Sequence, residues 1–272
     1  MTWRLSLRQQ PTLRVDARAL QPSALASMSQ TQIERVALDH GRDALALAEL
    51  FSVERIDGHG GSARLQLEGD LSRFDCVGWN LADGELDVRG PVGDLAGAGL
   101  AGGVMTIEGS TADLAGCAMR GGRLEVSGSV GDLAASAMPG EIDGMRGGVF
   151  VIRGDAGDRL GDRMRRGTIV VCGDAGELLA SRMVAGTIAL AGRCGAHPAW
   201  GMRRGSIVFA GPKPTIAPTF APVHGGIEVF WQLLARDLAR FGAPFVDLKT
   251  RRVERHVGDL AVLGKGELLL PV

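Results

Sequence analysis

A glycine returns every 19 residues through the middle of this chain, and this period constrains the fold more than any other feature. One interval, from Gly128 to Gly154, is 26 residues long because it contains a seven-residue insertion, Met138 to Gly144. Each glycine follows a short strand-like run, such as Arg123 to Val126. The repeated glycines are Gly109, Gly128, Gly154, Gly173, Gly192 and Gly211. Self-similarity at a fixed period of this length is typical of a solenoid.

Two apolar columns alternate within each repeat, and this spacing of two residues indicates strands. The first column contains Leu86, Met105, Leu124, Phe150, Ile169, Ile188 and Ile207, and the second contains Val88, Ile107, Val126, Ile152, Val171, Leu190 and Phe209. Both should face inward. A 19-residue unit with three glycines cannot hold two helices. The sequence therefore predicts an all-β fold, a right-handed parallel β-helix solenoid of about eight rungs.

Glycines at the corners of such a fold allow sharp turns, often at positive φ, and a close approach between the backbones of successive rungs. A second column of glycines lies just before each strand and closes the repeat. A column of methionines lies three residues before these glycines. The closing glycines are Gly84, Gly103, Gly122, Gly148, Gly167, Gly186 and Gly205, and the methionines are Met119, Met145, Met164, Met183 and Met202.

The flanking segments should cover the two open ends of the solenoid. We predict an N-terminal cap over residues 1–63, with a capping box at Thr31 to Glu34, the glycine-rich β-helix over 64–211, and a C-terminal segment over 212–272. That last segment begins with a proline-rich linker and continues into an amphipathic helix from Ile227 to Phe241. Short extended segments should follow, with a turn at Gly264 to Gly266. The predicted buried face of the helix comprises Ile227, Phe230, Trp231, Leu234, Leu238 and Phe241.

Composition excludes several classes of partner. The chain has 272 residues, 45% of them apolar, and a net charge of -1, which favours neither nucleic acid nor membrane binding. No apolar run is long enough to span a membrane, and the N-terminus lacks the pattern of a secretory signal, so we expect a cytoplasmic protein.

The sequence suggests no catalytic or metal site in this chain. Its four cysteines and five histidines are dispersed without ligand spacing. The Gly-x-x-Gly pairs are corners of the repeat rather than dinucleotide fingerprints, because no helix-forming run follows them. One acid per rung forms a corner column, which we interpret as capping nearby backbone N–H groups or as a solvated edge. That column is Asp94, Asp113, Asp132, Asp158 and Glu177.

Two rows on the outside of the predicted solenoid are candidate interfaces. One is an apolar strip in the later rungs, to be covered by the C-terminal helix or by a partner subunit. The other is a basic row after the methionine column, interrupted at Val184. Its arginines should pair with acids of the same chain, or else bind an acidic partner or a polyglutamate-like carrier tail. The candidate residues are Val151, Val170, Ala189 and Val208 in the strip, and Arg120, Arg146, Arg165 and Arg203 in the row.

The units Gly-Met-Arg-Gly-Gly at 144–148 and Met-Arg-Arg-Gly-Thr-Ile at 164–169, with Gly-Asp-Ala-Gly corners at 154–157 and 173–176, resemble a known family. They are similar to the C-type subunits of formylmethanofuran dehydrogenase and of its bacterial counterpart, the formyltransferase/hydrolase complex. The C-terminal domain of glutamate synthase shares the repeat. The flanks, including 21–25, 218–220 and 264–268, favour the family of C-type subunits.

This resemblance implies a non-catalytic scaffold in a complex that transfers a formyl group from formyl-tetrahydromethanopterin to a methanofuran-type carrier and releases formate. It places carrier, pterin and any catalytic metals in partner subunits of the A, B and D types, and no cofactor in this chain. Three alternatives stay open. They are the C-type subunit of a molybdenum or tungsten formylmethanofuran dehydrogenase, a glutamate-synthase-like domain, and a β-helix polysaccharide-active enzyme, which would need clustered outer carboxylates.

Overall fold

The computed structural model describes residues 2–56 and 62–272. Residues 1 and 57–61, which belong to the predicted N-terminal cap, lie outside the described residues. The described chain is mainly β with few helices, which confirms the predicted all-β class. In those residues no helix has the length and apolar character that crossing a membrane requires.

The N-terminal segment extends a large sheet as well as covering its end. Its elements are β1 (Thr2–Leu7), β2 (Val15–Asp16), α1 (Pro22–Ala26), α2 (Gln30–Glu34), β3 (Ala37–His40), β4 (Asp43–Ala46), α3 (Leu47–Leu50) and β5 (Phe51–Ile56), followed by β6 (Arg64–Glu68) and β7 (Phe74–Asp75). Strand β1 pairs in parallel with β6, and β5 pairs antiparallel with β1. The small elements pack beside them, with a second sheet in the order β4-β3-β2-β7.

The glycine repeats supply the strands at the centre of the large sheet. These strands are β8 (Glu85–Arg89), β9 (Val104–Ile107), β10 (Arg123–Val126), β11 (Arg146–Ile152), β12 (Arg166–Val171), β13 (Thr187–Leu190) and β14 (Ser206–Phe209). Each pairs in parallel with the strand of the next repeat, so that Ile169 lies beside Ile188 and Ile188 beside Ile207. Leu124 pairs with Phe150, 26 residues further on, because the insertion is accommodated outside the sheet.

A second parallel ladder joins the same repeats through single bridges. Val92 bridges to Thr111, Thr111 to Val130, and Val130 to Ala156, and the series continues to Cys194. The chain therefore follows the same course in each repeat, with a strand on one side and a bridge on another.

The two predicted apolar columns form one core cluster with residues of the second ladder such as Val92 and Val130, and every residue of both columns is buried. The methionine column is buried with them. Their alternation along each strand separates them from outward-facing residues such as Asp87 and Glu125, which stay partly exposed. The hydrophobic effect thus selects one register for each strand.

Glycine is required in the different columns for two different structural reasons. Gly148 has φ +88°, in the left-handed region that glycine adopts without strain. Gly128 has no such φ, but a Cβ there would lie 2.7 Å from the carbonyl oxygen of Gly109 in the preceding repeat. Of the two predicted reasons for the glycines, close backbone approach therefore applies to Gly128 and positive φ applies to Gly148.

The capping box lies two residues earlier than predicted. Ser29 is the N-cap of α2, its side chain accepts from the Gln32 N–H, and the Gln32 side chain accepts from the Ser29 N–H. Thr31, predicted as the cap, is inside the helix. Both Ser29 to Gln32 and Thr31 to Glu34 match the capping pattern, so the pattern alone does not choose between them.

The C-terminal segment contributes strands at the other end of the sheet. Its elements are β15 (Ala221–Val223), α4 (Glu228–Ala239), β16 (Val253–Gly258) and β17 (Gly266–Pro271), with short 3-10 helices over Val246–Thr250 and Leu260–Val262. Strand β17 pairs in parallel with β14, and β16 and β15 follow antiparallel. The predicted helix is α4, which is somewhat shorter than expected, with Ile227 as its N-cap.

Candidate functional site

The apolar strip lies beneath α4. Its four residues, Val151, Val170, Ala189 and Val208, are fully buried in one cluster with Ile227, Trp231, Ala235, Leu238 and Phe241. The Trp231 indole N–H donates to the Arg251 carbonyl oxygen at 2.9 Å. This confirms that the C-terminal helix covers the strip. The strip is therefore an interface within the chain, the first of its two predicted covers.

The prediction that Phe230 lies on the buried face of the helix is wrong. Phe230 is 44% exposed, whereas its neighbour Trp231 is buried. Both fit a spacing of three or four with Leu234, but the side chains of adjacent residues point about 100° apart around a helix. Trp231 faces the sheet, which leaves Phe230 toward solvent.

The basic row is partly neutralised by acids of this chain. Arg146 pairs with Glu141 at 3.0 Å and Arg165 with Asp143 at 2.7 Å. The expectation that corner acids would interleave with this row is wrong, because both acids come from the insertion. Arg120 instead donates to the Asn80 side-chain oxygen at 2.8 Å.

The end of the basic row forms a groove that we call the arginine groove. It consists of two adjoining clefts of about 570 and 340 Å3, which share Arg165, Val184 and Arg203. These side chains come from equivalent positions of successive repeats, just before the strands, and therefore lie side by side. Val184 occupies the position where the basic row lacks an arginine, and it adds an apolar side chain to the lining. The six arginines that line it are Arg163, Arg165, Arg166, Arg182, Arg203 and Arg204, whereas the acids that line it are Asp143 and Asp259.

The structure thus brings together two of the predicted residues, Arg165 and Arg203, while Arg120 and Arg146 line neither cleft. Sequence analysis missed the other four arginines. A signal was present, since Arg163 and Arg182 precede column methionines by one residue, and Arg166 and Arg204 follow them by two. Alignment of the repeats shows these positions as further rows.

Two aspartates, Asp162 and Asp259, accept hydrogen bonds that hold one side of the groove in place. The buried Asp162 carboxylate accepts a two-pronged hydrogen bond from Arg182, with the shorter contact to Oδ2 at 2.8 Å, and a further hydrogen bond from the Ser181 hydroxyl. Asp259 accepts from the backbone N–H of Gly201 and of Ala261, each at 3.0 Å. These contacts position the wall formed by Arg182 and Gly201, since charge-assisted bonds with fork geometry fix orientation.

The groove offers positively charged donors, and its described lining holds no nucleophile paired with a base. In the described residues, no group of three or more His, Cys, Asp or Glu side chains is arranged to hold a metal ion. Burial raises the pKa of the Cys117 and Cys194 thiols to about 12 in each case, so both are protonated at neutral pH. The arrangement can bind an anionic surface, but it shows no means of bond cleavage.

The corner acids cap backbone N–H groups of the following repeat, as predicted. Asp113 Oδ1 accepts from the Asp132 N–H at 2.9 Å, and Asp158 Oδ1 accepts from the Glu177 N–H at 2.7 Å. A parallel row uses Ser129 and Asp155 in the same way. The acids of the corner column therefore have a structural role.

A larger cleft of about 960 Å3 lies between α4 and the strands β15 and β16. Lys213 and Glu254, which form an ion pair at 2.8 Å, line this cleft together with His256. Its described lining contains none of the predicted candidate interface residues.

Comparisons with known proteins agree with the fold described above. A family model described as the GXGXG motif matches residues 68–220, more than half of the chain. The C-type subunit of the formyltransferase/hydrolase complex Fhc from Methylorubrum extorquens is 41% identical over 89 residues, an alignment that spans about a third of each protein, 33% of this chain and 32% of that protein. A chain in the crystal structure of the FhcABCD complex from the same species, in complex with methylofuran, matches with a TM-score of 0.89 and 40% identity over 99% of both chains.

The strands, the corner glycines and the family match define a glycine-rich repeat protein of the parallel-sheet type. The chain belongs to the GXGXG-motif family. Within it, the resemblance to the C-type subunits of formyltransferase/hydrolase complexes, predicted from the sequence, is confirmed.

Proposed function

We propose that this chain is a structural component of a formyltransferase/hydrolase-type complex, and that it assembles with subunits of the A, B and D types. The observation that carries the proposal is the structural match over 99% of both chains to a component of the FhcABCD complex. The match includes the flanking segments as well as the repeat, and it therefore extends beyond what a shared glycine repeat alone would give.

We further infer that the repeat is a right-handed parallel β-helix of about eight rungs, with residues 1–63 and 212–272 acting as its caps. The parallel ladders support the coiled course, and the strands β1 and β17 at the two ends support the caps. A long, rigid body of this kind suits a scaffold, because each repeat contacts its neighbours and presents similar positions along one face.

The reaction of the proposed complex is the transfer of a formyl group from formyl-tetrahydromethanopterin to a methanofuran-type carrier, followed by release of formate. Carrier, pterin and any catalytic metals are assigned to partner subunits. The dispersed cysteines and histidines, and an arginine groove whose described lining holds no nucleophile, support this assignment. In this proposal the chain contributes position and shape rather than reacting groups.

Two measurements test the proposal. The chain should co-purify with A-, B- and D-type subunits when they are produced together, and complexes formed without it should be recovered in lower yield or with lower activity. Purified alone, it should show no formyltransferase, formate dehydrogenase or formyl-hydrolase turnover. Failure to associate with those subunits would refute the structural role. Turnover by the isolated chain that a point mutation in it abolishes would refute the non-catalytic role.

A further inference from the structure

Part of the arginine groove carries positive charge that the described residues do not neutralise. The side chains of Arg166, Arg203 and Arg204 are exposed, and none forms a hydrogen bond or ion pair with any described residue. They line one cleft together, and the described lining of that cleft includes no acid. Like charges held close together repel each other, and a negative counterpart from another molecule would relieve that repulsion.

Exposed apolar side chains lie beside these arginines. Ile142, from the insertion, is 82% exposed, and Trp200, from the turn after β13, is 58% exposed. Both line the adjoining cleft with Val262, and the next residue, Leu263, is 90% exposed. Three separate segments therefore bring large apolar groups to one place at the surface. Isolated exposed apolar residues are common, but a group of this kind marks a contact surface.

We propose that the arginine groove is the docking site for an acidic polypeptide segment of a partner subunit, with an apolar or aromatic side chain of that segment packed against Ile142 and Trp200. This inference rests on the proposed function, which supplies partner subunits. Tryptophan and arginine are among the residues that contribute most often to binding energy at protein interfaces. A purely anionic ligand would use the arginines and leave the apolar rim without a role. The combination favours a polypeptide.

The first test measures assembly with A-, B- and D-type subunits, using the full chain. The double variant Arg203→Glu, Arg204→Glu reverses the free charge, and Trp200→Ala removes the largest apolar side chain of the rim. Arg193→Glu is the control, because Arg193 is exposed and lies outside the groove, and its only hydrogen bonds to described residues are backbone ones: its N–H donates to Asp174 and its carbonyl oxygen accepts from the Ala175 N–H. We expect the double variant to weaken assembly about tenfold or more, Trp200→Ala also to weaken it, and the control to assemble as the wild-type chain does.

The outcomes separate this inference from the proposed function. Failure of the wild-type chain to assemble would overturn both. Assembly of the wild-type chain that the groove variants affect no more than Arg193→Glu does would overturn the docking site alone. Loss of assembly in the double variant with full retention in Trp200→Ala would also overturn it, because the occupant would then be an anion without an apolar anchor. Circular dichroism at equal temperature checks that the variants are folded.

The second test identifies the occupant directly. A photo-crosslinking amino acid in place of Ile142 should capture a peptide of a partner subunit when the complex is illuminated. Mass spectrometry should find that peptide rich in Asp and Glu, with an apolar residue at or next to the crosslink. A crosslink to a small anionic molecule, to a peptide without acidic residues, or to nothing in an assembled complex would overturn the proposal.

Discussion

The Asp132 carboxylate accepts a hydrogen bond at 2.8 Å from the backbone N–H of Asp158, one repeat further along the structure but 26 residues away in the sequence. The same contact joins Asp113 to Asp132 across the usual 19 residues. The insertion therefore leaves the corner contact intact. Where a chain must turn sharply, such a side chain satisfies an N–H group that the strands cannot.

This contact predicts the effect of replacing Asp132. Asp132→Ala removes the acceptor and should lower the free energy of unfolding by about 1 kcal/mol, because the corner is partly open and water can replace some of the bond. Asp132→Asn keeps a side-chain oxygen at the same place and should cost about half as much or less. Urea unfolding followed by circular dichroism measures both. Equal losses in the two variants would mean that charge, rather than the hydrogen bond, stabilises the corner.

Two glycines with nearly the same φ make it possible to separate the conformational cost of adding a Cβ from the steric cost. Gly148 and Gly140 have nearly the same φ, +88° and +87°. A Cβ at Gly148 would lie 2.6 Å from the Gly121 carbonyl oxygen, whereas nothing lies within 4 Å of a Cβ at Gly140. In both alanine variants a residue with a Cβ must adopt the left-handed conformation, which costs about 1 to 2 kcal/mol. Gly148→Ala should lose at least about 2 kcal/mol more, because the backbone oxygen cannot move aside easily. Thermal unfolding compares them, and similar melting temperatures would contradict the close approach.

The period determines how much of this fold can be predicted. The residues of both apolar columns are buried because one repeat fixes the register of all the others. The period does not predict that β1 and β17 belong to the parallel sheet, since β1 pairs with β6 about 60 residues away and neither β1 nor β17 lies in the period. Their pairing depends on long-range contacts, which no local pattern encodes.

The candidate site is predictable only in part. The apolar strip and its covering helix follow from spacing, because outward apolar residues in successive rungs need a partner face. The arginine groove does not follow from spacing alone. Its walls combine the insertion with the segment around Asp259, and the irregular backbone of both has no periodic signal.

Helix α4 contains its own comparison between a buried and an exposed aromatic residue. Trp231 is buried against the strip and donates to the Arg251 carbonyl, whereas the adjacent Phe230 is 44% exposed. Trp231→Ala should lower the free energy of unfolding by about 3 to 5 kcal/mol, and Phe230→Ala by less than about 1 kcal/mol. Guanidinium unfolding of the two variants provides the measurement. If the helix undocks without global unfolding, amide hydrogen exchange in residues 228–239 should rise in Trp231→Ala only. Equal effects of the two substitutions would contradict the packing of α4 on the sheet.

Glu125 lies at the boundary between the polar and apolar parts of the sheet, and the ionisation of its carboxyl should make the stability of the fold depend on pH. Burial raises the pKa of this carboxyl, but hydrogen bonds and charge from Arg123 and Arg153 outweigh burial, so that its pKa lies below the ordinary value of 4.5. Arg153, 2.8 Å from Glu125, also donates to the Phe241 carbonyl at 2.9 Å and so connects the carboxylate to the segment that follows α4. A carboxyl with a lowered pKa in the folded state stabilises fully above 4.5, and this contribution is lost as pH falls through the folded value.

Glu125→Gln should therefore have a lower melting temperature than the wild-type chain at pH 7, and the difference should shrink as the pH falls below 4.5 and through the lowered pKa of Glu125. Glu108→Gln is the control, because Glu108 lies on the neighbouring strand end, is well exposed and approaches Arg89 only to 3.9 Å. Its melting temperature should stay close to that of the wild-type chain at neutral pH, since an exposed ion pair of this length contributes little. Thermal unfolding at a series of pH values compares the three proteins. A difference between Glu125→Gln and the wild-type chain that stays constant from pH 7 to acid pH would show that the Glu125 charge does not stabilise the fold, and that its side chain acts through packing alone.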